Sequence, residues 1–140
     1  MKNNLFIFGM LLFLFGLLNG VAIPYFENPR MGLSAHLAGV QNAFVLIIFG
    51  LIWKYIALTQ VVLRWCCCFS VYGMYSIWFS LVLAAVWGTS SATPIAGAGY
   101  SGYQYQENIV NILLYSGSLS IIVASIQIII GLLKNGKVKI

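Results

Sequence analysis

Residues 33–53, LSAHLAGVQNAFVLIIFGLIW, form a long apolar run that contains the only histidine of the chain. A helix needs about 20 mostly apolar residues to cross the hydrocarbon core of a membrane. Three further runs have a similar character, at residues 5–23, 65–87 and 109–133. All four are continuously apolar and do not alternate with a period of two, so they predict helices and not the strands of a membrane barrel. The sequence therefore predicts an all-α membrane protein, a bundle of four transmembrane helices.

The composition of the whole chain agrees with this prediction. Of its 140 residues, 61% are hydrophobic and only 6% are charged, and little sequence is left for a soluble domain. We therefore predict a single domain over residues 1–140. An alternative is that the first run is a cleaved signal peptide, because Lys2 precedes it and residues 20–22 are small. The run is long for that role, and cleavage would place Lys54 and Arg64 on the opposite side from the C-terminal lysines.

The net charge of +5 follows membrane topology. In a four-helix arrangement Arg30 is the only base on its side, beside Glu27. This asymmetry is typical of the positive-inside rule and predicts an inner-membrane protein with both termini in the cytoplasm. No basic stripe interleaved with aromatic residues is present, so no nucleic-acid partner is expected. The bases on the other, cytoplasmic side are Lys2, Lys54, Arg64, Lys134, Lys137 and Lys139.

Two connections lie on the same side as Arg30. In the first, Ser34 is predicted to cap the start of the second helix. The second, residues 88–108, is rich in Gly, Ala, Ser and Tyr. It is either a plain connector with tyrosines at the membrane interface or a lid over an outward-facing site. Glu107 begins the fourth helix, where it would complement the helix dipole or line the mouth of that site.

Three consecutive cysteines, residues 66–68, lie near the cytoplasmic end of the third helix. Adjacent helical residues point about 100° apart, so these thiols are poor joint metal ligands. They are interpreted as reduced thiols that pack as small apolar groups, with palmitoylation as the alternative.

The chain has two Glu, one His and no Asp. It offers no carboxylate pair for acid–base work, no zinc set and no Ser-His-Asp triad, which excludes most enzyme classes. His36 remains. An ionisable group at membrane depth is a functional candidate, and the alternative is a structural histidine bonded to a neighbouring helix or to water.

Small residues follow His36 on the same face of its helix. Gly39, Ala43 and Gly50 fall within about 60° of it on a helical wheel, whereas Asn42 lies about 120° around. This stripe predicts either close packing against another helix or room for a flat group such as a porphyrin, with His36 as the axial ligand of its iron. A single imidazole would leave one iron position open for a substrate oxygen.

The segment NPRMGLSAHLAGVQN (28–42) resembles the small membrane hydroxylaminobenzene mutases. The likeness continues through YGMYSIW (72–78), AAVWGTSSATPIAGAGYSG (84–102) and QENIVNILLYSGSLS (106–120), and so covers nearly the whole chain. More distantly, the pattern is similar to the styrene oxide isomerases. That resemblance implies a homotrimer with haem b held between subunits.

The resemblance also assigns roles to particular residues. It implies that His36 is the axial ligand of the haem iron, with Gly39 and Ala43 beside the cofactor. Asn42 follows His36 at the family spacing of six, and Tyr75 matches the catalytic tyrosine, so both are expected to hydrogen-bond the substrate. A family aspartate corresponds to Cys67, a departure that counts against epoxide isomerisation. Weaker candidates for the substrate pocket are Asn19, Tyr72, Trp78 and Glu107.

Both families imply a redox-neutral isomerisation of a small aromatic compound inside the lipid bilayer. The expected activity is that of a hydroxylaminobenzene mutase, which converts an arylhydroxylamine to a 2-aminophenol, with the iron as a Lewis acid on the substrate oxygen. One alternative is a styrene oxide isomerase that yields an aldehyde. Another is a haem-binding or structural membrane bundle without catalytic activity.

Overall fold

A computed structural model describes residues 1–97 and 99–136 of the chain. It contains four helices that are long and apolar enough to cross a membrane, and the described residues form no strand. The predicted fold class is therefore confirmed. Two of the bases predicted to lie on the cytoplasmic side, Lys137 and Lys139, are outside the described residues. The helices are α1 (Lys2–Ala22), α2 (Pro29–Ile52), α3 (Gln60–Trp87) and α4 (Gln104–Lys134), and single 3₁₀ turns follow α1 (Ile23–Tyr25) and α2 (Trp53–Tyr55).

Helix α2 begins earlier than its apolar run. The side chain of Asn28 accepts a hydrogen bond from the backbone N–H of Met31 (3.1 Å), and Pro29 occupies the first helical position. The prediction that Ser34 caps this helix is wrong, because Ser34 lies inside it and its hydroxyl donates to the carbonyl of Arg30 (3.3 Å). An apolar run marks the part of a helix within the membrane, whereas the polar cap lies outside it.

Neighbouring helices in the chain are neighbours in the bundle. Helix α1 packs along α2, α3 packs along α4, and α2 joins the two pairs by its contact with α3. Both long contacts depend on small residues. A Cβ on Gly39 would lie 2.8 Å from the Cα of Gly16, and one on Gly73 would lie 2.9 Å from the carbonyl oxygen of Gly117. The absence of side chains at these glycines allows the helix backbones to approach closely.

Hydrogen bonds define two ends of the bundle. At one end, which we call the basic end, the N–H of Ala57 donates to the carbonyl of Gly131 (2.9 Å). This bond brings the connection that carries Lys54 beside the end of α4. At the other, the loop end, the N–H of Asn28 donates to the carbonyl of Ala85 (3.0 Å) and joins the start of α2 to α3.

The outward faces of the helices are apolar. Leu18, Ile112 and Leu119, for example, are each more than half exposed, as expected for surfaces that contact lipid or another apolar chain. Two of the three consecutive cysteines, Cys66 and Cys67, are buried in the core, which agrees with their interpretation as packing groups, and Cys68 is exposed.

Candidate functional site

His36 lies in α2, on the face that contacts α1. Its Nδ1 is 2.8 Å from the carbonyl oxygen of Gly16. Because a carbonyl oxygen can only accept, Nδ1 is the donor, and in the neutral ring Nε2 then keeps its lone pair. The ring also lies directly over Gly20, where an added Cβ would be 2.6 Å from Nδ1. Helix α1 therefore fixes both the tautomer and the position of the imidazole.

The stripe of small residues below His36 also faces α1. Gly39, Ala43 and Gly50 are all buried, as their shared face predicts. A Cβ on Gly50 would contact the ring of Phe6 at 3.0 Å, so the stripe is covered by α1 along its length. Of the two alternatives for this stripe, the structure shows close helix packing. The role of Gly39 and Ala43 beside a cofactor stays a prediction.

Asn42 and Tyr75 lie close together in the fold. The Asn42 amide donates to the carbonyl of Met74 (2.9 Å), one residue before Tyr75, so Asn42 faces α3 as its position on the wheel predicts. The Tyr75 hydroxyl donates to the carbonyl of Phe8 in α1 (2.8 Å).

Trp78 connects these residues to the His36 face. Its indole packs on Gly39, where an added Cβ would lie 2.9 Å from Nε1, and it stacks on Phe15 at a centroid distance of 5.7 Å and an angle of 12°. The ring of Tyr75 meets it edge-on at 6.4 Å. The indole N–H is buried and has no hydrogen-bond partner among the residues that the structure describes. Trp78 thus lies at the centre of the candidate site.

An apolar groove of about 350 Å³ runs along α3 beside this cluster, and the residues that line it include Tyr72, Tyr75 and Trp78. The groove is open to the outside of the bundle. Tyr72 is half exposed there, and its hydroxyl is 2.8 Å from the Ser116 hydroxyl of α4. A groove with this lining can take an aromatic molecule from the membrane.

Two weaker candidates have other contacts. The Asn19 amide is buried and donates to the carbonyl of Gly32 (3.0 Å). This bond joins α1 to α2 next to Gly20, the glycine over which the His36 ring lies. Glu107 lies at the loop end, in the first turn of α4. Its carboxylate accepts hydrogen bonds from the backbone N–H groups of Ser90, Ser91 and Gly102 at 3.0 to 3.2 Å. Glu107 therefore fixes the loop before α4, and a direct role in the pocket stays a prediction.

Three other α1 residues of this site were not among the residues predicted from the sequence. Gly16 supplies the carbonyl for His36, Gly20 leaves space for its ring, and Phe15 stacks on Trp78. The available signal was the spacing of four between Gly16 and Gly20, a small-xxx-small pattern that marks a tight helix contact.

The donor set limits what the site can bind. The described part of the chain contains no group of three or more His, Cys, Asp or Glu side chains that could hold a metal ion. A metal at His36 would therefore need most of its ligands from another molecule, as iron has in a porphyrin. A ligating histidine usually donates its other ring N–H to a carbonyl or carboxylate, and the bond from His36 to Gly16 has this form.

Comparison with known proteins identifies relatives over nearly the whole chain. A model of the styrene oxide isomerase family matches residues 1–133. The hydroxylaminobenzene mutase HabA of Ectopseudomonas oleovorans is 38% identical over 138 residues, which cover 96% of this chain and 100% of HabA. Hydroxylaminobenzene mutase HabB of the same organism is 41% identical over 116 residues, 82% of this chain and 71% of HabB. No solved structure matches. The family resemblance predicted from the sequence is confirmed.

Proposed function

The chain belongs to the styrene oxide isomerase family, and from this premise we propose that it is a membrane isomerase that converts arylhydroxylamines to 2-aminophenols. Membership supports an isomerase, and the two relatives named as hydroxylaminobenzene mutases favour this substrate class. The structural observation that carries the proposal is the geometry of His36, whose Nδ1 is bonded to Gly16 and whose Nε2 is left with a lone pair.

We propose haem b as the cofactor, with His36 as its axial ligand through Nε2. The fit rests on the protonated Nδ1, which leaves the other ring nitrogen free to bind a metal, and on the lack of any other metal-ligating set within the described residues. When bound, haem iron with one open position supplies a Lewis acid for a substrate oxygen. The predicted trimer would place the cofactor between subunits.

The chain's own residues would bind and orient the substrate. The apolar groove beside Tyr75 and Trp78 would accept the aromatic ring of the substrate. Asn42 would accept the N–H of an arylhydroxylamine through its Oδ1. The Tyr75 hydroxyl, which donates to the Phe8 carbonyl in this structure, would instead donate to the oxygen that leaves nitrogen, where negative charge develops.

The reaction is an isomerisation and needs no external electrons. The N–O bond breaks, and a C–O bond forms at the ortho ring carbon, next to the carbon that carries nitrogen. The proton of that carbon is lost, and a proton is gained by nitrogen, so the atoms balance without a second substrate.

The matched family favours a second candidate activity, the isomerisation of styrene oxide to an aldehyde. Cys67 stands where the resemblance places an aspartate, and this buried thiol offers no carboxylate to the opened epoxide. We therefore rank the mutase activity first. Product analysis with phenylhydroxylamine and with styrene oxide separates the two.

We also propose that the protein lies in the inner membrane with its basic end in the cytoplasm. Lys54 and Lys134 both lie at that end, and Arg30 at the loop end, as the positive-inside rule requires for this orientation. Labelling of single cysteines introduced at either end, in right-side-out and inverted vesicles, tests this orientation.

The test of the proposed function begins with the absorption spectrum of the purified protein in detergent. We expect a Soret band in the wild type and in the control variant Leu37→Ala, whose residue is half exposed on the same helix. His36→Ala should lack the band and should not produce 2-aminophenol from phenylhydroxylamine. A wild-type protein that shows no Soret band after growth with excess haem, or that keeps the band in His36→Ala, would refute the cofactor assignment.

A further inference from the structure

A second cavity, of about 560 Å³, opens at the loop end of the bundle, between the segment before α2 and the loop before α4. Aromatic rings and a carboxylate meet in its wall, and the proposed chemistry uses none of them. Residues that line the cavity include Glu27, Trp87, Gly88, Tyr100, Tyr103 and Gln106.

Gly88 brings the carboxylate and an aromatic ring to the same place. It has a φ of +66°, the left-handed conformation that ends α3 and that favours glycine. A Cβ here would lie 3.3 Å from the Cγ of Glu27 and 3.4 Å from the Cδ1 of Tyr100. The stem of Glu27 and the ring of Tyr100 therefore both lie over this glycine, close to each other.

The walls of the cavity are held in position by hydrogen bonds that do not use its interior. Next to Glu27, the N–H of Asn28 is bonded to the carbonyl of Ala85. On the opposite wall, Glu107 accepts the N–H of Gly102, and the Gln106 side chain accepts the N–H of Tyr103 (2.8 Å). A cavity of this size with fixed walls is typical of small-molecule sites.

We infer that this cavity binds small aromatic molecules that carry adjacent N–H and O–H donors, a class to which the proposed 2-aminophenol product belongs. The identity of that ligand rests on the proposed function. An ionised carboxylate accepts hydrogen bonds and donates none, so Glu27 can take both donors of a 2-aminophenol at once. The ring of the ligand would lie against Trp87 and Tyr100. Styrene oxide has no donor and would gain nothing from the carboxylate.

The inference is tested by binding and not by turnover. The probe is 2-amino-4-fluorophenol, followed by ¹⁹F NMR under anaerobic conditions with the His36→Ala protein in detergent, so that no conversion is involved. We expect Glu27→Gln to weaken binding about tenfold, because a charge-assisted hydrogen bond is lost. Tyr100→Leu should also weaken binding, whereas Tyr25→Leu, which alters an exposed side chain outside the cavity, should have no effect. The control ligand 4-fluoro-1,2-dimethoxybenzene has no hydrogen-bond donors. It should bind equally with and without the Glu27→Gln substitution.

In the His36→Ala background, equal binding of the aminophenol with and without Glu27→Gln would overturn the inference, and so would an equal loss in Tyr25→Leu. Because Glu27 is exposed, its replacement by Gln is not expected to prevent folding, which circular dichroism verifies. If binding depends on Glu27 but the protein does not convert phenylhydroxylamine, the cavity inference stands and the proposed activity fails. If the enzyme is active but binding does not depend on Glu27, only the cavity inference fails.

Discussion

Replacing Gly20 by alanine should displace His36 without changing the histidine itself. The added methyl carbon would lie 2.6 Å from Nδ1 and 3.0 Å from Cε1 of the imidazole. Non-bonded heavy atoms of this kind pack at about 3.5 Å or more, so the ring must move by roughly 1 Å or α1 must separate from α2. Either movement breaks the 2.8 Å hydrogen bond between Nδ1 and the carbonyl of Gly16.

The magnitude follows from two contributions. Loss of a hydrogen bond between neutral groups costs about 1 kcal/mol, and an extra methyl group in a tight contact costs about 1–3 kcal/mol. The free energy of unfolding should therefore fall by about 2 kcal/mol. Loss of the partner that orients a metal-ligating histidine typically lowers metal affinity 10–100-fold, so we expect haem to bind Gly20→Ala at least about tenfold more weakly.

The assay is a titration of haem into the apoprotein, followed by the Soret band, beside unfolding in detergent monitored by circular dichroism. The matched control is Leu18→Ala, which shortens a more than half-exposed side chain on the same helix and should bind haem as the wild type does. If Gly20→Ala binds haem with wild-type affinity, the bond to Gly16 does not position the ligand, and the argument from the His36 tautomer fails.

Three further substitutions have distinct expected results. Tyr75→Phe removes the hydroxyl that donates to the Phe8 carbonyl, and product chromatography should show turnover about a hundredfold lower with an unchanged Soret band. An unchanged rate would exclude Tyr75 from the chemistry. Asn42→Ala removes the donor to the Met74 carbonyl, which should lower the free energy of unfolding by about 1 kcal/mol and also slow turnover; a loss of stability alone would make Asn42 structural. Glu107→Gln places an amide donor against the N–H groups of the 88–103 loop, and we expect about 2 kcal/mol lower stability in thermal unfolding and faster proteolysis of the loop, neither of which should occur in Gln104→Ala.

The sequence predicted the number and class of the helices because membrane insertion is decided by composition along about 20 residues. The helix ends were predicted less well. The runs at 65–87 and 109–133 begin several residues after α3 and α4 do, at Gln60 and Gln104. The polar residues at the beginning of each helix are helical but lie outside the hydrocarbon core. Hydropathy therefore does not detect them as part of the helix.

For the site, the sequence predicted which residues share a face of α2, but it did not predict which helix covers each face. The wheel separates His36 from Asn42, and the structure directs the first to α1 and the second to α3. The partner atoms are backbone carbonyls of Gly16 and Met74. Every residue has such a carbonyl, so residue types alone cannot show which of them a side chain will reach.

The packing of α1 on α2 restricts where a cofactor can approach. Because α1 covers Gly39 and Ala43, a porphyrin cannot occupy the stripe below His36 unless α1 moves away. Nδ1 is likewise directed into this contact, which leaves Nε2 as the only ring nitrogen able to bind iron. Iron would therefore have to approach from outside the α1–α2 pair, where this chain supplies only apolar helix faces. If haem binds to His36 as proposed, a second copy of the chain would complete its enclosure, as the proposed trimer provides.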